Sequence, residues 1–439
     1  MRKGFIFDHN KCVSCNSCSA ACFLENGWKV HPRNIFTYNS NAEYLLPLIH
    51  LSLACNHCES AICMEGCPAS AYSREDITGA IILDETKCIG CRYCQWNCPY
   101  DAPKFDAESK TIAKCNLCYS GLIEGRQPAC SSACPTGALS FGPLTKQNPE
   151  NIYSWFPDKK LNPSLTFTGS INNEPLRIVP ENKFEQNHQR TTLEEKNISS
   201  ERSLIIFSFL ATLSVVTIIT SLIKGVYPDK MIFFPVLILA VLTSFFHLGR
   251  KLRSWRSVFN IRRSPLSREI AFLIIYSVVS SSAVYLREPV LLICSSITGL
   301  IFLLLIDSVY IYADRSKTVF LNSGQTFISA LLIVSFFSGM VLPFIFMASI
   351  KILFSIYTPA NKSQSSIRFI LRFLRLAFLI VPGISLISHI SYGDIFIPSL
   401  FLTGELLDRI LFYFDFNPLN IKRLIFEQFN MERDEKERG

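Results

Sequence analysis

The hydrophobic and polar positions of this chain follow two regimes, with the change near residue 200. Before it, apolar residues come in short runs between turn-forming and cysteine-rich stretches. After it they come in runs of about 20, the length a helix needs to cross the hydrocarbon core of a bilayer. These runs predict membrane spans near 203–223, 231–249, 269–287, 289–312, 324–342, 344–358, 369–390 and 394–414. The fifth and sixth are nearly continuous in ISALLIVSFFSGMVLPFIFMASIKILFSIY, with Gly339 and Pro343 as the break, so the reading is eight spans with seven as the alternative. Ahead of them, PLRIVPENK reads as a short extended tail and FEQNHQRTTLEEKNISSERS as a linker with too few apolar residues to hold a core. The pattern divides the chain into a polar domain over 1–182, a linker over 183–202, an all-α polytopic membrane domain over 203–414 and a tail over 415–439.

Charge adds a direction. The formal net charge is +8, which alone would fit nucleic acid, anionic lipid or neither. The basic residues crowd one loop, GRKLRSWRSVFNIRRSPLSRE, and later loops on the same side add Arg315, Lys317, Lys362 and Arg368. The opposite side has little beyond Lys224, Lys230 and Arg287. A basic hinge between two spans is a topology signal rather than a nucleic-acid patch, so no nucleic-acid partner is expected. With an even span count both termini and the basic loop share the cytoplasmic face of a bacterial inner membrane. The start, MRKGFIFDHNKC, has no apolar signal segment, in keeping with that side.

Cysteine supplies the chemistry. Of 17 cysteines, all but Cys294 precede residue 200. Cys294 falls inside a span with no partner and reads as a small core residue. The rest form four groups: Cys12, Cys15, Cys18 and Cys22; Cys55, Cys58, Cys63 and Cys67; Cys88, Cys91, Cys94 and Cys98; and Cys115, Cys118, Cys130 and Cys134. The first and third have the spacing C-x2-C-x2-C-x3-C, and the others stretch one gap but keep the opening C-x2-C and the closing C-x3-C. Three thiolates on a tight loop reach three irons of one cube, while the fourth points away and serves a neighbouring cluster. A tetrahedral zinc site needs only two C-x2-C pairs and has no use for the third close thiolate. A disulfide framework does not suit a chain read as unexported. Sixteen thiolates supply four [4Fe–4S] clusters, so groups must pair. His57, inside the second group, reads as an ordinary loop residue, and Tyr93, Trp96 and Tyr100 as packing around the clusters.

The stretches GFIFDHNKCVSCNSCSAAC, ACNHCESAICMEGCPASAYSRED, DETKCIGCRYCQWNCPYDAPKFD and KCNLCYSGLIEGRQPACSSACPTGALSFG resemble the iron–sulfur subunit of dimethyl sulfoxide reductase and its molybdopterin-dependent relatives, over roughly residues 1–182. The resemblance implies an α+β fold of two intertwined two-cluster ferredoxin modules, one nested in the other. It also implies four ligand sets: Cys12, Cys15, Cys18 and Cys134; Cys22, Cys115, Cys118 and Cys130; Cys55, Cys58, Cys63 and Cys98; and Cys67, Cys88, Cys91 and Cys94. More loosely, FHLGRKLRSWRSVFNIRRSPLSREI and GELLDRILFYFDF resemble the eight-helix membrane anchor of the same enzyme, which is normally a separate polypeptide. There the positions matching His247 and Glu269 serve quinol. By charge alone, His247 is equally a cation at a helix C-terminus. Glu405 and Arg409, four apart in the last span, are expected to pair with each other, while Asp307 has no evident role.

No pterin, flavin or haem motif is present, so the chain is expected to pass electrons rather than to reduce the final acceptor. The reading is a fused electron-transfer and anchor subunit that oxidises menaquinol from the menaquinone pool and feeds a separate molybdopterin catalytic subunit. The alternatives are a membrane ferredoxin reducing quinone, a polysulfide- or thiosulfate-reductase-like respiratory subunit, and a proton-translocating part of a larger complex. A chain of paired buried acids would favour the last, and the sequence displays only scattered ones.

Overall fold

The computed structural model describes residues 2–28, 30–38, 48–144, 156, 160–168, 198–314, 322–357, 366–388, 396–416 and 421. The expected extended stretch 175–183, most of the linker and nearly all of the tail fall outside them. The chain forms two compact units. The first comprises Met1–Glu195, Leu252–Arg263 and Pro418–Gly439, and the second Lys196–Lys251 and Ser264–Asn417.

In the first unit, the opening strand β1 (Lys3–Asp8) alternates so that Phe5 and Phe7 are buried, as a strand with one covered face requires. It is the central strand of three. It runs antiparallel to Leu139–Pro143, with Phe5 opposite Phe141, and parallel to Leu165–Thr168, with Phe5 opposite Leu165. This register closes the chain on itself, so the first and fourth cysteine groups end up side by side. The helix Ser17–Asn26 of the first group packs on Ala129–Ser132 of the fourth. The same logic joins the middle groups, where Ile62–Glu65 packs on Tyr93–Asn97. Two short antiparallel hairpins, Tyr72–Arg74 with Ile81–Leu83 and Lys104–Asp106 with Thr111–Ala113, flank that inner pair. The result is a nested α+β arrangement. The cysteine loops wind tightly enough to force left-handed backbone on non-glycine residues: Ser14 and Asn16, His57, Arg92, and Leu117 with Cys118, one or two in each group. Such strain persists only where the surroundings over-determine it.

The second unit is helical: Ile198–Lys224, Lys230–Phe246, Pro265–Leu286, Pro289–Asp314, Thr326–Phe337, Val341–Tyr357, Ser366–Ser388 and Phe396–Asp415. Among the described residues four stretches are long and apolar enough to cross a membrane: Glu201–Lys224, Pro265–Leu286, Pro289–Ala313 and Ile370–Ser388. Thr326–Phe337 and Val341–Ile356 are apolar but shorter. They meet at Gly339, whose φ of 71° takes the left-handed region that glycine tolerates. Pro343 lies in the first turn of the second of them rather than at the break. Cys294 is exposed on the outer face of its helix, which corrects the expectation of a core residue. Its apolar thiol suits a lipid-facing surface as well as a protein core.

Gly4 marks the tightest point of the first sheet. A Cβ there would lie 2.4 Å from the Ser164 carbonyl oxygen and 2.7 Å from Leu144 Cδ1. Because the nearest atom is backbone, no side-chain rotation relieves the clash. Gly4→Ala is expected to push Leu165–Thr168 off the sheet and destabilise the first unit by roughly 1–3 kcal/mol. A fall in the thermal midpoint of cluster absorbance measures this; an unchanged midpoint contradicts it.

Candidate metal centres and a buried ionic network

Three cavities in the first unit are each ringed by four cysteines drawn from two groups. Cys12, Cys15, Cys18 and Cys134 line one. Cys55, Cys58, Cys63 and Cys98 line another, with Lys114 on its wall. Cys67, Cys88, Cys91 and Cys94 line the third. The remaining four are electrostatic neighbours of one another: Cys22 faces Cys130 and Cys118, and Cys115 faces Cys22 and Cys130. Cys18 and Cys22 are one helical turn apart, so a single helix serves two sites.

The donor set points to iron–sulfur chemistry. Burial and neighbouring thiolates push Cys22 up to about 12. Burial is the main cause at Cys98 too, also pushed up to about 12, and it raises Cys63, Cys91 and Cys115 still further. Thiolates this crowded form only against strong positive charge, which irons supply. Among the described residues no three Cys, His, Asp or Glu side chains converge tightly enough for one metal ion. The thiols instead ring shared cavities in fours, the number of donors a cubane takes. Backbone N–H groups of Ala71, Leu117 and Leu139 approach the sulfurs of Cys67, Cys115 and Cys134 at 3.4 Å, the kind of contact that tunes cluster potential.

Two functional candidates escaped the sequence reading. Arg33 and Lys114 are almost fully buried cations, 2% and 3% exposed, and the groups facing them are cysteines. Neither spacing nor pattern announces burial of a cation; Lys114 merely precedes Cys115. His57 is buried, and its Nδ1 accepts the Ile81 N–H at 2.9 Å. Burial, aided by Lys114, Arg74 and Arg33, holds its imidazole well below the usual range, so the ring is neutral. Tyr93 is buried with Trp96 edge-on to it, and Tyr100 stacks on Phe156. The basic segment that leads from one helix to the next in sequence carries two further contacts inside the first unit. Arg253 donates to the carbonyls of Glu85 and Cys88 at 2.7 and 3.2 Å. Asn260 donates to those of Glu65 and Cys67 at 2.8 and 3.0 Å. Both grip the loops that supply one quartet.

In the second unit His247 caps the C-terminus of Lys230–Phe246 and is half-buried. Glu269 lies one turn inside Pro265–Leu286 and is 7% exposed. The charges facing Glu269 are Arg409 and Asp307. These belong to a network that the sequence reading left scattered. Asp307 accepts the backbone N–H groups of Thr326 and Phe327 at 2.9 and 3.0 Å, capping the short helix there. Arg409 lies 3.9 Å from Asp307, donates to Ser208 and to the Gly324 carbonyl at 2.8 Å each, and stands over the rings of Tyr310, Phe412 and Tyr413. Asp408 pairs with Lys351 at 3.0 Å and Arg375 at 2.9 Å, and Glu405 pairs with Lys351. The expected Glu405–Arg409 pair is therefore wrong. Lys351, from another helix and fully buried, reaches Glu405 first, which local spacing could not disclose.

Removing one member of such a network leaves an unpaired buried charge, at a cost of roughly 3–5 kcal/mol. Lys351→Met strands Glu405, leaves Asp408 to Arg375 alone, and is expected to lower the yield and thermal midpoint of the detergent-extracted protein. Lys351→Met with Glu405→Gln should recover part of the loss, and a double variant no better than the single contradicts the pairing.

Two known families match the sequence. Residues 47–144 match the 4Fe-4S dicluster domain, and residues 199–356 match the DMSO reductase anchor subunit (DmsC). The sequence is 41% identical over 152 residues to the probable anaerobic dimethyl sulfoxide reductase protein YnfG of Escherichia coli K12, covering 32% of this polypeptide and 73% of that one. It is 38% identical to the B subunit of the anaerobic dimethyl sulfoxide reductase of Haemophilus influenzae, covering 32% and 74%. It is 32% identical to the thiosulfate reductase electron transfer subunit PhsB of Salmonella typhi, covering 36% and 82%. With its iron–sulfur domain followed in one polypeptide by the anchor domain, this protein belongs to the iron–sulfur subunit family of the anaerobic dimethyl sulfoxide reductases.

Proposed function

We propose that this protein oxidises menaquinol in the bacterial inner membrane and passes the electrons to a separate molybdopterin catalytic subunit. The observation that carries the reading is the meeting of cysteines from paired groups around shared cavities. Four [4Fe–4S] clusters would be held by Cys12, Cys15, Cys18 and Cys134; by Cys22, Cys115, Cys118 and Cys130; by Cys55, Cys58, Cys63 and Cys98; and by Cys67, Cys88, Cys91 and Cys94. When bound, such clusters supply one-electron exchange with no proton bookkeeping. In this reading the double-ferredoxin domain is 1–182, the linker 183–202, the anchor 203–414 with eight crossing helices, and the tail 415–439. The cluster domain faces the cytoplasm.

Quinol oxidation releases two electrons and two protons. His247, as a neutral imidazole, accepts a hydroxyl proton, and Glu269 orients the ring and passes a proton on. A proton-translocating role is less well supported. Every member of the buried network lies within about 10 residues, or roughly 15 Å, of the helix end that this topology assigns to the cluster side. That is half of a core about 30 Å thick, with no continuation across it among the described residues. Likeness to the thiosulfate reductase electron transfer subunit favours a sulfur-compound acceptor as the second reading, a choice made in the partner's active site.

The purified protein is expected to carry roughly sixteen irons and as many acid-labile sulfides; stoichiometric zinc, or fewer than about twelve irons after anaerobic reconstitution, refutes the assignment. Cys98→Ser should damage the cluster held by the second group, seen as loss of that cluster's EPR signal. His247→Ala should abolish cluster reduction by a menaquinol analogue while leaving reduction by dithionite intact. Normal quinol-driven reduction in that variant would mean the histidine is only a helix cap.

A further inference from the structure

Lys114 has no acidic partner among the described residues. Its ammonium group donates to the carbonyls of Ile81 and, at 2.6 Å, Cys115. The ionisable groups that face it are Cys55, Cys115 and Cys63. It lines the cavity of Cys55, Cys58, Cys63 and Cys98, while the carbonyl it holds belongs to a ligand of the neighbouring quartet. One buried cation thus touches two quartets, one built from the inner pair of cysteine groups and one from the outer pair. A buried ammonium without a counter-charge is costly, and a cluster with four thiolates supplies that counter-charge. We propose that Lys114 is the shared counter-ion of these two clusters and sets the potential of the electron-transfer step between the two ferredoxin modules.

The inference rests on the cluster assignment above. The step itself is balanced: one cluster loses an electron as the other gains it, and no bond is formed. Each reduction adds negative charge within reach of Lys114, so a fixed positive charge stabilises the reduced form of both. Loss of that charge lowers both potentials, and the remaining two clusters, whose ligands are not among the groups facing Lys114, stay where they are. Lys114 is a positioning residue in this role, because it touches ligand backbone rather than transferring anything.

Potentiometric titration of the full-length protein in membranes, followed by EPR, tests this. In Lys114→Met two of the four signals should shift so that the reduced-to-oxidised ratio at fixed potential falls at least tenfold, which is 59 mV for a one-electron couple. Lys114→Arg should restore both. Potentials unchanged in Lys114→Met, a shift shared equally by all four signals, or no rescue by arginine overturns the proposal. If Lys114→Met loses iron, Lys114→Gln is titrated in its place, since it keeps a donor to the carbonyls without the charge. Lowered potentials there support the proposal and unchanged ones overturn it. Loss of iron in the glutamine variant but not in the arginine variant also supports it, and loss in all three reduces Lys114 to packing. Iron counted in the unsubstituted protein separates failure of this inference from failure of the cluster assignment.

Discussion

Negative charge brought out of water is the constraint on which the structure depends. In the first unit sixteen thiols are folded into a space where burial pushes most of them upward, and the surroundings answer with buried cations, backbone amides and cavities ringed by cysteines. Among the described residues of the second, the buried carboxyl groups Glu269, Asp307, Glu405 and Asp408 stand against the buried cations Lys351, Arg375 and Arg409. The solutions differ because the ligands differ. Thiolates converge on a metal cluster that neutralises them, whereas carboxylates in an apolar bundle must find ammonium, guanidinium or helix N–H groups.

Topology is the means by which the first unit gathers its thiolates. The opening strand pairs with one that follows the fourth cysteine group, so the ends of the domain meet and the inner groups are enclosed. Nesting places cysteines more than a hundred residues apart around one cavity, as with Cys12 and Cys134. The left-handed residues in each cysteine loop are the local cost of turning the backbone around a cube, tolerated because the sheet and short helices hold both ends.

Much of this was legible in the linear sequence. The four-group cysteine spacing carries its own chemistry, because the geometry of a cubane constrains which positions on a loop can reach it. Apolar runs of spanning length are as direct, since the bilayer admits few alternatives. Gly339 was readable as a helix break because only glycine takes its left-handed conformation without strain. Where the reading failed, it relied on neighbours in sequence. Glu405 and Arg409 are correctly spaced to meet on one helix, yet each is claimed by residues from other helices. Cys294 points outward because helix rotation is set by packing, on which a uniformly apolar run is silent.

Spacing and apolar run length thus specify the kind of chemistry and the division into a cysteine-rich and a membrane half, for metal ligation and bilayer thickness both act over short stretches of chain. Which charges face one another emerges only when the chain is folded. Arg33 and Lys114 became cations among thiols, and Asp307 became the cap of a distant helix, through contacts between segments far apart in sequence. Electrostatic energy depends on distance and burial in three dimensions, and neither quantity is written in the spacing of residues along a polypeptide.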